Sequence, residues 1–80
     1  MILNEAEQLV TNLKAILTDE YWGDIYYLTQ DMSLPEAERG YDVYVEYHGE
    51  FNFDSAKVLM DYCKTKTVTL AFLTHQIIIY

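Results

Sequence analysis

Thirteen carboxylates, two histidines and one cysteine are the groups in this 80-residue chain that could do chemistry. Two carboxylates held close together can share general acid–base work when burial lifts the pKa of one above the other. At this density a close pair arises by chance, and so short a chain rarely builds the deep pocket that separates the two pKa values. Cys63 could serve as a nucleophile only with His48 or His75 in the same cleft and a third group orienting the base. It falls instead on an apolar helical stripe, where cysteine packs as a small hydrophobe. HxH, CxxC and HExxH spacings are absent. After Asp31, the acids at Glu36 and Glu38 miss the calcium-loop order. Three scattered glycines cannot make a phosphate loop. The expectation is a protein that is not an enzyme and uses no metal or cofactor.

What the carboxylates share is their place in the chain. Between Ala15 and Ala56 stand ten of them: Asp19, Glu20, Asp24, Asp31, Glu36, Glu38, Asp42, Glu46, Glu50 and Asp54. Arg39 is the only base among them, so the block carries −9 and holds all of the chain's net negative charge of −8. On one small domain such a block makes a one-signed face, which repels nucleic acid and attracts basic proteins. Six of the eight tyrosines, Tyr21 to Tyr47, fall inside the same block. Tyrosine combines apolar area with a polar tip and suits both interfaces and half-buried strands.

Spacing sharpens the reading at Asp42, Glu46 and Glu50. Asp42 and Glu46 lie four residues apart, so on an extended strand they share a face about 13 Å apart. One DNA strand advances a phosphate every ~3.4 Å, which makes that span roughly four phosphate steps. Asp24 on a neighbouring strand could fill the interval. The alternative is a solvated strand face kept soluble by charge. Glu36 and Glu38 belong to a ten-residue connection, residues 31–40, that either protrudes toward a positive cleft or is merely solvated. Tyr21 and Trp22 are either exposed interface anchors or fold back over the end of the first helix.

These side chains need a scaffold, and the apolar pattern supplies one. Ala6, Leu9, Val10, Leu13, Ile16 and Leu17 recur at helical spacing, with Asn4 and Glu7 as a capping box and a stop near Asp19. Residues 24–30 read as a strand rich in β-prone types. Residues 41–48 read as another, with Tyr41, Val43, Val45 and Tyr47 on one face and Asp42, Tyr44, Glu46 and His48 on the other. Asp54, or failing that Asn52, should cap a second helix whose stripe is Ala56, Leu59, Met60 and Cys63. Residues 67–73 and 77–80 are β-prone, joined as a hairpin or as one bent strand.

The predicted fold class is α+β, a single domain over residues 1–80. Two helices pack on one face of a mainly antiparallel sheet of three to four strands, in the order αββαββ. The other sheet face is then left open, and Asp42, Tyr44, Glu46 and His48 point from it to solvent or to a partner. A 51% apolar composition supports a packed core. No segment approaches the ~20 apolar residues of a membrane span. Met1-Ile2-Leu3 runs straight into Asn4-Glu5, with no basic segment of a signal peptide. One cysteine allows no intrachain disulfide, and the set of features fits the cytoplasm.

In size, acidity, α+β character and lack of a catalytic motif, the whole chain resembles the small anti-defence proteins of phages, the anti-CRISPR and anti-restriction inhibitors. The resemblance rests on no sequence signature, and these inhibitors are unrelated to one another, so no residue is carried over by motif. It implies an inhibitor in the cytoplasm of a bacterial host cell, blocking the nucleic-acid-binding groove of a CRISPR effector complex or a similar enzyme. The partner-binding residues expected from the chain itself are Asp24, Tyr26, Glu36, Glu38, Asp42, Tyr44, Glu46 and Glu50. An immunity protein or antitoxin that neutralises a basic toxin would use the same physics. A homodimeric interaction module, formed through the open sheet face or the strand ending at Tyr80, is the third possibility.

Overall fold

A computed structural model describes residues 1–80. In chain order the elements are α1 (Leu3–Ile16), β1 (Trp22–Leu28), a single 3₁₀ turn (Glu36–Glu38), β2 (Asp42–Tyr47), α2 (Phe53–Cys63), β3 (Leu70–Leu73) and β4 (Gln76–Ile79). The strands form one antiparallel sheet in the order β1-β2-β4-β3. The fold is the two-layer α+β arrangement that the apolar pattern predicts, with the sheet completed at four strands.

The core lies between the helices and one sheet face, and every buried residue in it is apolar. α1 contributes Ala6, Leu9, Val10 and Leu13, and α2 contributes Ala56, Leu59 and Cys63. The sheet answers with Ile25, Val43, Val45, Tyr47, Ile77 and Ile79. Strict alternation along β2 puts Val43, Val45 and Tyr47 inside and Asp42, Tyr44 and Glu46 outside. No buried side-chain nitrogen or oxygen lacks a hydrogen-bond partner. Burial pushes the Cys63 thiol pKa up, against a smaller opposing pull from Lys66, as befits a packing cysteine.

Several boundaries differ from the sequence reading, each for a local reason. α1 starts before Asn4: the Ile2 amide donates to the Glu5 carboxylate at 3.4 Å, so Glu5 rather than Glu7 closes the first turn. Hydrogen bonds in both directions between Met1 and Tyr41 pin the chain's start to β2. α1 also ends earlier than Asp19, at Ile16. α2 is capped by Asn52, whose side-chain oxygen accepts from the Ser55 amide at 3.0 Å, and Asp54 falls in its first turn. Residues 70–79 form a hairpin rather than a bent strand. His75 makes the tight turn at φ 65°, a left-handed conformation more often taken by glycine or asparagine.

β1 begins at Trp22, two residues before the predicted start, because it contains a bulge. Trp22 pairs with Tyr47 and Ile25 with Val45, so Gly23 and Asp24 together face the single position of Glu46. The extra residue lets both Trp22 and Ile25 point into the core. A side chain at position 23 would meet the Glu46 Cβ at 3.3 Å and the His48 ring at 3.5 Å, so the close approach calls for glycine. Trp22 is buried over the core, which removes it as an exposed anchor. Tyr21 is half-buried and stacks on Tyr47 at 5.3 Å, and its hydroxyl accepts from the Asn52 amide at 2.9 Å.

Candidate partner-binding site on the open sheet face

With both helices on one side, the outward residues of β1 and β2 have no covering layer. Tyr26 stands directly opposite Tyr44 in the ladder, and their rings stack at 5.4 Å with planes 8° apart. The Tyr26 hydroxyl donates to Glu46 Oε2 at 3.2 Å. Asp24 is exposed at the bulge beside Glu46, and half-buried Asp42 marks the opposite end of the same β2 face. The register thus makes one site from two strands whose residues lie 16 or more positions apart: a flat tyrosine pair with carboxylates at both ends.

Electrostatics reinforce that unit. Desolvation raises the pKa of Tyr26, and the hydrogen bond to Glu46 and the nearby charges of Glu46 and Asp24 raise it further. Each of these favours the neutral phenol. The hydroxyl therefore stays a donor through the physiological range and holds the Glu46 carboxylate in place.

The carboxylates of the acidic block divide by task. Asp19 accepts from the Tyr21 amide at 2.6 Å and shapes the turn into β1. Asp31 accepts from the Gly40 amide at 2.8 Å and closes the long loop. Glu46 accepts from Tyr26. Glu20, Asp24, Glu36, Glu38, Asp42, Glu50 and Asp54 accept no hydrogen bond from the protein, and none of the block is ion-paired. The single salt bridge, Lys57–Asp61 at 3.1 Å, lies on the exposed side of α2. Arg39, the one base in the block, donates instead to the Leu34 carbonyl at 2.8 Å. The block's carboxylates thus carry their charge without a salt bridge, and no cluster of His, Cys, Asp or Glu is placed to hold a metal ion.

The eight residues expected at the site do not all converge. Asp24, Tyr26, Asp42, Tyr44 and Glu46 share the open face. Glu36 sits beside Ile2, Leu3 and Asn4 at the start of α1, so the acidic loop flanks the helix layer, with Glu38 exposed on the same 3₁₀ turn. Glu50 lies past the end of β2, next to Phe51, Phe72, Leu73 and His75.

That last neighbourhood escaped the sequence reading. Phe51 and Phe72 meet edge to face at 5.6 Å, Tyr47 lies 6.1 Å from Phe51, and both phenylalanines remain close to half exposed. The Tyr47 hydroxyl donates to the Leu73 carbonyl at 2.8 Å and ties the hairpin to β2. Phe51 lies in a turn and Phe72 on a strand, so no periodicity in the chain links them.

No family model matches the chain, and no curated protein or solved structure matches it either.

Proposed function

We propose that this protein is an inhibitor whose open β1–β2 face occupies the nucleic-acid-binding groove of a basic protein, a CRISPR effector complex or a similar defence enzyme. One observation carries the reading. A flat tyrosine pair is flanked by carboxylates that form no salt bridge, on a sheet face that no element covers. An arginine guanidinium stacks on aromatic faces and bonds carboxylates in two-pronged fashion, so this arrangement selects arginine over lysine. Grooves that hold nucleic acid are lined with such arginines. Asp24, Asp42 and Glu46 take the phosphate positions, and Tyr26 and Tyr44 give the guanidinium a surface to lie on.

Capture on the immobilised protein tests this, using lysate of bacteria that carry CRISPR and restriction systems. The expected result is recovery of a nucleic-acid-binding protein that elutes with high salt or with added DNA. Recovery of nothing, or of proteins that DNA does not displace, overturns the reading.

A further inference from the structure

The sheet has two edges, and they differ in the charge and backbone irregularity they carry. β1, at one edge, carries the Gly23–Asp24 bulge and an exposed aspartate, both devices that stop strands from pairing edge to edge. β3, at the other, carries neither. From Thr67 to Tyr80 there is no Asp, Glu, Lys or Arg and no proline. Phe72 and Leu73 remain 47% and 46% exposed on that edge.

The hydrogen-bond phase shows which backbone groups are free. Thr69 and Tyr80 exchange both amide–carbonyl bonds, at 2.7 and 3.0 Å. Antiparallel pairs alternate, so Ala71 and Leu73 also turn their amides and carbonyls toward β4. Those of Leu70 and Phe72 point outward, with no strand beyond them.

We infer that the β3 edge pairs with the β3 edge of a second copy, antiparallel about a two-fold axis at Ala71, to give a continuous eight-stranded sheet. The occupant follows from self-complementarity. In this register Leu70 of each copy exchanges backbone hydrogen bonds with Phe72 of the other. The same residues form aromatic–aliphatic pairs on the helix side, which cover the exposed Phe72 ring. The two Ala71 side chains meet at the axis, where the backbones come closest and a small residue fits.

Charge permits the contact although each copy carries −8. The nearest acidic strands, the two β2, are five strand spacings apart across the axis, or about 24 Å. That is about three Debye lengths at physiological salt. The ladder is short, which places the contact in the weak class below about 1,200 Å². A contact of that class forms only weakly, with a dissociation constant in the micromolar range or above. Sheet twist turns the two acidic faces away from each other, leaving each free. The inference stands independently of what the acidic face binds.

Sedimentation from roughly 1 to 500 μM tests it, a window that covers the micromolar range. The wild-type chain is expected to pass from monomer to dimer, and more readily at 150 mM than at 10 mM NaCl as screening relieves the repulsion. A monomer throughout, or a dimer that weakens with salt, overturns the proposal. Ala71→Lys and Ala71→Glu each set like charges opposite one another, so each should weaken the dimer by about twofold to fivefold. Mixing the two should restore association as a heterodimer. Unchanged dimers in the single variants, or no association in the mixture, contradict the register. Should either variant fail to fold, a synthetic chain N-methylated at the Phe72 amide decides. That proton faces away from β4, so loss of the dimer supports the pairing and retention overturns it.

Discussion

The two halves of this sheet share one backbone pattern and differ in what their side chains do. On the β1–β2 half the outward side chains include Asp24, Asp42 and Glu46 around a tyrosine stack. On the β3–β4 half they include no charge, and Ile78 and Ala71 continue the row that begins with Tyr26 and Tyr44. Both halves also send fully buried aliphatic side chains into the core, Val43 and Val45 from one and Ile77 and Ile79 from the other. Stability is therefore shared across the sheet, whereas charge is confined to one side of it. A small domain keeps unneutralised charge at a cost in self-repulsion, and that cost falls where the face is open to a partner. Polarity alone does not explain the distribution, because serine or threonine would solvate the strand face without repulsion.

The comparison can be broken at its core first. Ile77 is fully buried on the uncharged half, so Ile77→Ala should cost about 2–5 kcal/mol by denaturant titration, a large part of the ~4–12 kcal/mol expected of this length. A cost below about 1 kcal/mol would mean the β3–β4 half contributes little to stability. The charged half should behave oppositely. Asp42→Lys with Glu46→Lys is expected to weaken binding of a captured basic partner by about 2–5 kcal/mol while its own fold is not weakened, since the change relieves self-repulsion. Unchanged binding would move the contact surface off β2.

A cap outside both halves calibrates these numbers. Asn52→Ala removes the bond to the Ser55 amide and should cost about 1 kcal/mol in chemical denaturation. The smallest effect is a titration. Tyr26 has its pKa raised in the folded chain above the ordinary 10.0. Its stabilising contribution is thus fully present below that ordinary value and is lost as pH rises through the raised one. Ring-carbon NMR, assigned with Tyr26→Phe, should show Tyr26 ionising above the unfolded-chain value, and Glu46→Gln should bring it partway back. A Tyr26 that titrates normally would mean the Tyr26–Glu46 contact is not held in solution.

The scaffold was legible because its signals are local. Helical spacing in α1 and α2 and alternation in β2 each concern residues a few positions apart, and the buried faces follow directly. The outward position of Asp42, Tyr44 and Glu46 was legible for the same reason. What escaped depends on contacts distant in the chain. The Tyr26–Glu46 bond needs the β1–β2 register, and the bulge at Gly23 shifts that register by one residue. Asp19 and Asp31 look like members of a charge block, but the amides they accept from are fixed only by the folded loop. Asn52 rather than Asp54 caps α2, and its own amide is held by the Tyr21 hydroxyl, a partner 31 residues away in the chain. The turn at His75 carries no glycine to announce it.

An acidic half that carries its charge without salt bridges makes the melting temperature depend on ionic strength. That dependence should be measured in NaCl at low micromolar protein, where association does not contribute. Self-repulsion shrinks as the Debye length falls from about 30 Å at 10 mM to about 8 Å at 150 mM. The account predicts a melting temperature that climbs by several degrees over that range, since each kcal/mol is about 4–8 °C for a domain of this size. Asp42→Asn with Glu46→Gln should flatten the climb. A melting temperature that stays level or falls as salt is added would contradict the account, because the carboxylates would then be paired or dispersed.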